Sequence, residues 1–138
     1  MKKLYGLIGF PLGHSFSKKY FTEKFEKEGL SDCSFELFPL ESIEDFSNLI
    51  VTQPLLKGLC VTIPYKEKVI PYLTSLHESA EAVGAVNCIQ FEEGNLIGYN
   101  TDVLGFEKSF MPLWKTSHGN ALVLGTGGAS KAVQYILQ

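Results

Sequence analysis

The segment "CVTIPYKE" sets a basic side chain just beyond an apolar run. Its strand ends at Thr62-Ile63-Pro64, and Lys66 follows two residues after the proline. In open α/β sheets ligands gather outside the carboxyl ends of strands, so Lys66 stands where a substrate can sit. A lysine partly removed from water gives up its proton more readily and can then pass protons. The plainer alternative is a solvated lysine in the first turn of a helix. "GFPLGHSFSK" leaves an earlier apolar run and offers Ser15 and Ser17 beside a helix start. Hydroxyl donors and a helix N-terminus both favour an anion, so the pair suits a carboxylate. Ser17 would serve equally as a helix cap, and His14 reads as a loop histidine.

Asn87 in "GAVN" and Asp102 in "YNTD" stand at the ends of apolar elements. An amide and a carboxylate can hydrogen-bond vicinal hydroxyls and fix the orientation of a polyol. Asp102 beside Lys66 would hold both the ammonium and the reacting hydroxyl. As structural groups, Thr101 or Asp102 would cap the next helix and Asn87 would satisfy a turn. "VLGTGGASKA" sets Gly125, Gly127 and Gly128 between a strand and a helix. Such glycines let the backbone turn tightly and approach a pyrophosphate, whose charge rests on the helix N-terminus. The pattern is G-x-G-G, with Ser130 where G-x-G-x-x-G has its third glycine. An ordinary strand-to-helix turn would use the same residues.

Alternating strands and helices must carry these groups. "KLYGLIGF", "CSFELFPL" and "LKGLCVTIP" are compact apolar runs and read as buried strands. In "SKKYFTEKFEKEGL", Tyr20, Phe21 and Phe25 recur at helical spacing, with Gly29 as the stop. "SIEDFSNLIV" reads as a second helix, with Ser42 and Asp45 resembling a capping box. "YKEKVIPYLTSL" is partly helical but interrupted by Pro71, and "ESAEAVGA" is a short helix. "VNCIQFEEGNLIGYN" makes two strands about a Glu93-Gly94-Asn95 turn. "TDVLGFEKSFMPLW" makes a helix broken near Pro112, and "KTSHGN" a polar turn. "ALVLGTGGASKAVQYILQ" is a strand, a glycine turn and a helix start. The expected fold is therefore a three-layer αβα arrangement. Its mainly parallel sheet contains one antiparallel strand, and the first βα unit of a second domain follows.

The composition suits that fold. Of 138 residues, 45% are hydrophobic and 20% charged, which fits one folded domain rather than a disordered chain. The net charge of -3 comes without a basic block, so neither a nucleic acid nor a membrane surface is expected as a partner. The odd number of cysteines (Cys33, Cys60 and Cys88) and the lack of a C-x-x-C pair argue against a disulfide framework or a zinc site. His14, His77 and His118 show no ligand spacing, so no metal is expected. "MKK" before "LYGLIGF" is too short and too glycine-rich for a signal peptide, which places the protein in the cytoplasm.

Together and in this order, "GHSFS", "VTIPYK", "GAVN", "NTDVLGF" and "GTGGASKA" resemble the shikimate dehydrogenase family, NADP-dependent enzymes of the shikimate pathway. The resemblance runs nearly end to end. It implies an N-terminal α/β substrate domain and a C-terminal Rossmann domain with the active site between them. It further implies that Ser15 and Ser17 hold the shikimate carboxylate and that Thr62, Asn87 and Asp102 contact the ring hydroxyls. Lys66 would be the acid/base with Asp102 as its partner, and Gly125, Gly127, Gly128 and Ala129 would lie against the NADP pyrophosphate. The chain departs from the family pattern in three places. Cys60 replaces an asparagine, Lys18 a proline, and Phe21-Thr22 a His-Asn pair. The choice between shikimate and a related acid such as quinate stays open, as does a non-catalytic module that binds a cyclic hydroxy acid.

Family members are roughly twice this length. The chain then divides into a substrate domain (1–101), a linking helix and turn (102–119) and the start of a cofactor domain (120–138). On this reading it is a piece of the enzyme, inactive alone, whose glycine turn does not hold NADP firmly. The apolar faces of "NALVLG" and "AVQYIL" would fray or pack on another copy of the chain.

Overall fold

The computed structural model describes residues 2–115 and 117–138. Thr116, inside the expected polar turn, and Met1 lie outside them. The strands are β1 (Lys3–Gly9), β2 (Cys33–Pro39), β3 (Leu56–Val61), β4 (Ser75–Leu76), β5 (Cys88–Glu92) and β6 (Asn95–Tyr99). They form one sheet in the order β2-β1-β3-β5-β6-β4. β1 pairs parallel with β2 and β3, and β4 pairs parallel with β6. β5 alone runs against its neighbours. Sequence periodicity anticipated this mixed sheet, including its single reversed strand.

Each strand alternates its side chains between two faces. Tyr5, Leu7, Phe35 and Leu37 face α1 (Ser17–Lys27), where Phe21 stacks on Phe35 at 4.5 Å. Ile8, Leu59, Val61 and Ile89 face the larger core, packed against Phe46 and Leu49 of α2 (Phe46–Thr52) and against Tyr65 and Val69. Both faces of β1 are thus covered, which gives the three layers and explains why β1 reads as a continuous apolar run. Gly98 lets the edge close. A Cβ there would come within 2.6 Å of a Leu73 methyl and 2.8 Å of a Val86 methyl, so the side chains of the 70–76 segment and Val86 would have to shift to admit one.

Several local expectations are corrected. Ser42 precedes a 3-10 turn (Ile43–Asp45), and its hydroxyl bonds Glu44 rather than a backbone N–H, so no capping box forms. The 65–73 segment holds turns and a 3-10 turn (Ile70–Tyr72) where a partial helix was expected, because Pro71 stops a longer ladder. It leads into β4, which sequence gave no sign of, since a two-residue strand has no periodicity. Asn95 belongs to β6, so the hairpin tip is Glu93-Gly94. The helix α3 (Glu78–Glu81) forms, and α4 (Thr101–Phe110) ends in a 3-10 turn at Met111–Leu113, as Pro112 suggested.

The expected strand over 121–124 is not formed. Those residues pair with no strand, and Leu122 and Leu124 are 84% and 86% exposed. A strand needs a neighbour for its backbone groups, and the sheet offers none there. The helix beyond it, α5 (Gly128–Leu137), does form. It docks through Ala132 onto Val83, Ala85 and Val103, so this face of the tail is covered by the chain itself.

Candidate active site

Three elements meet at the carboxyl edge of the sheet. β3 ends at Val61, and the next residue, Thr62, donates its N–H to the Ile8 carbonyl of β1 at 2.9 Å. The chain then turns through Pro64 to Lys66, whose carbonyl accepts from Val86 N–H at 2.7 Å. That bond ties the lysine segment to the residue just before Asn87. Because β5 is reversed, Asn87 enters the sheet at the same edge where β3 leaves it. Its carbonyl accepts from Val61 N–H at 2.8 Å. α4 also starts at this edge, directly after β6.

Asp102 lies in the first turn of α4 and joins the others. Its Oδ2 is 2.5 Å from Lys66 Nζ, and its Oδ1 accepts from Asn87 Nδ2 at 2.8 Å. Asn87 also bonds Thr101, accepting its backbone N–H through Oδ1 at 2.8 Å. Lys66 is 16% exposed and Asp102 34%. The ammonium and carboxylate are thus partly withdrawn from water yet still open to a ligand. Fixing the carboxylate through both oxygens holds the ammonium in one place, which a solvated lysine would not need.

Asn100, rather than Thr101 or Asp102, caps α4. Its Oδ1 accepts from Val103 N–H at 3.2 Å, and its Nδ2 donates to the Ala85 carbonyl at 2.9 Å. It is 2% exposed. Sequence reasoning missed it by giving the cap to its neighbours. The signal was there in "YNTD", since asparagine caps at least as well as threonine. The correction frees Asp102 to face Lys66.

Next to this cluster lies a cleft of about 660 Å³. Thr62 and Lys66 line one side, and Gly125, Gly127, Gly128 and Ala129 the other. α5 is held there by Lys131, whose Nζ is 2.6 Å from Glu67 Oε2. A Cβ on Gly128 would fall 2.9 Å from that of Lys66, so glycine is what lets the helix start approach the lysine. Gly125 has φ +120, a backbone state that favours glycine. Nothing stands within 4 Å of the Cβ positions of Gly125 and Gly127, so the turn is open there. Ser15 and Ser17 do not line this cleft. They sit half-buried where the chain leaves β1 at the same edge and enters α1, Ser17 N–H donating to Ser15 Oγ at 3.3 Å. Ser17 is the first residue of α1 rather than its cap, and its N-cap neighbour Phe16 makes no side-chain bond. Among the described residues, no group of three or more His, Cys, Asp and Glu is placed to hold a metal ion. No helix among them is long and apolar enough to cross a membrane.

A mixed αβα domain with an ammonium–carboxylate–amide cluster at its strand ends, facing a glycine-rich helix start, has the form of an α/β domain with a small-molecule site at the carboxyl edge of its sheet. The chain belongs to the shikimate dehydrogenase substrate binding domain family, whose model matches residues 7–89. It is 43% identical to the NADP(+) shikimate dehydrogenase of Aquifex aeolicus over 98% of its length, which is 51% of that protein. A crystal structure of shikimate dehydrogenase from Aquifex aeolicus superposes with a TM-score of 0.87 at 39% identity, covering 99% of this chain and 52% of that one. Shikimate 5-dehydrogenase from Thermus thermophilus, solved with NADP(H) and shikimate, superposes at 0.84 with 32% identity, covering 98% and 51%. The chain spans about half the length of the curated relatives it matches.

Proposed function

We propose that this chain is the substrate-binding half of an NADP-dependent shikimate dehydrogenase. The whole enzyme interconverts shikimate and 3-dehydroshikimate in the cytoplasm, on the route to the aromatic amino acids. The observation that carries the reading is the 2.5 Å contact of Lys66 with Asp102, braced by Asn87, at the mouth of the glycine-lined cleft. A secondary alcohol gives up hydride readily only if its hydroxyl proton leaves as well. Lys66 moves that proton at the C3 oxygen: as the amine it takes it from the alcohol, as the ammonium it returns it to the ketone. Asp102 steadies the ammonium and, with Asn87 and Thr62, orients the ring hydroxyls. Ser15 and Ser17 hold the carboxylate from the neighbouring loop.

The residues present suit a dinucleotide. The open glycine turn and the first N–H groups of α5 offer an anion cradle at Gly125, Gly127, Gly128 and Ala129. NADP⁺, when bound, supplies the hydride acceptor. Residues 1–101 would form the substrate domain, 102–119 the link, and 120–138 the opening of a Rossmann domain.

Calorimetric titration with shikimate, repeated on Asp102→Ala, tests the reading. We expect binding by the chain and a loss of roughly tenfold or more in the variant, because a bond to a charged group is removed. A folded chain that binds no shikimate, or a variant that binds it equally well, would overturn the assignment.

A further inference from the structure

All three cysteines, distant in sequence, line one apolar groove of about 340 Å³. α1 lies over β1 and β2 and leaves the same face of β3 and β5 open, with Tyr5, Phe21 and Phe25 as the groove's aromatic wall. In it Cys60 of β3 pairs directly with Cys88 of β5 in the antiparallel ladder. The neighbouring bond from Val61 N–H to the Asn87 carbonyl marks the pair as a non-hydrogen-bonded position. Side chains approach most closely at such positions, with Cα atoms about 4.5 Å apart. That lies at the short end of the roughly 4.4–6.8 Å that a disulfide spans. Both thiols are free and half-buried. Cys33 stands on β2 with β1 between it and β3, its Sγ 3.6 Å from Asp32 Oδ1.

We propose that Cys60 and Cys88 form a thiol–disulfide exchange site that takes a low-molecular-weight disulfide as its oxidant. The Cys88 thiolate attacks one sulfur of the small disulfide. That S–S bond breaks, one small thiol leaves, and a mixed disulfide forms on Cys88. Cys60 gives up its proton and attacks the Cys88 sulfur, forming the Cys60–Cys88 bond and releasing the second small thiol. Two electrons pass from the cysteine pair to the small disulfide, and both cysteine protons end on the released thiols. Excess small thiol runs the sequence backwards. A hydrogen bond from the facing Cys60 thiol favours the thiolate and lowers the Cys88 thiol against the opposing effect of burial.

The test incubates the folded protein with oxidised glutathione, alkylates what remains and maps the peptides. The expected product is a Cys60–Cys88 cross-linked peptide with Cys33 alkylated, reversed by reduced glutathione. Cys33→Ser should leave the yield unchanged. Cys60→Ser and Cys88→Ser should each stop at a glutathione adduct or show no cross-link. Three results would overturn the site: a lasting glutathione adduct on the unaltered pair, a cross-link through Cys33, or a cross-link seen only after unfolding.

Discussion

Lys66, Asp102 and Asn87 were each ambiguous in sequence, since every one of them has an ordinary structural use. What resolves them is distance: the amide and the ammonium sit on opposite oxygens of one carboxylate. No spacing rule links positions 66, 87 and 102, so their meeting became visible only once the strands were placed. The cysteines teach the same point more sharply. Read along the chain they are unrelated thiols, yet the reversed strand sets two of them face to face. The groove around them also holds Lys57, Cys33, Tyr5 and Gln90. With the Cys88 thiol lowered by the facing Cys60, its thiolate forms at a lower pH than that of an ordinary thiol. Alkylation of Cys88 followed against pH should therefore reach half its maximal rate below the ordinary thiol value of about 8.5. In Cys60→Ala the donor is gone, and the half-point should rise toward the ordinary thiol value of about 8.5.

Elements with a strong repeat were legible: α1 from its aromatic spacing, the hairpin from its turn, and the parallel strands from their apolar runs. β4 and the 3-10 turns were not, because they are shorter than any period. The 121–124 strand was misread because a strand's existence depends on a partner, which a local pattern does not contain. The start of α4 depends on Asn100, which is buried and joins the helix cap to the Ala85 carbonyl. Asn100→Ala removes the cap and leaves a buried carbonyl unpaired, for a loss of about 2–3 kcal/mol. Urea unfolding should show it as a lower midpoint with an unchanged slope. Shikimate affinity should fall along with it, since Asp102 would lose its fixed place.

At the scale of the whole molecule the two apolar leucines of the 121–124 segment are the outstanding feature. We propose that in the 138-residue chain they drive self-association. Light scattering should show a mass that rises with concentration, and Leu122→Ser with Leu124→Ser should return it to the monomer. Tight NADPH binding is not expected from the chain alone, since one helix start offers few contacts. Fluorescence titration should give a Kd weaker than about 1 mM, and a micromolar value would refute this. The reversed β5 has one more consequence. Its start lies at the ligand edge, so its other end, with the exposed Glu93-Gly94 tip, is carried to the far edge, about 17 Å away by strand length. That tip is a handle: a fluorophore, an affinity peptide or a pair of new chain ends placed there would report on or tether the protein while leaving its chemistry alone.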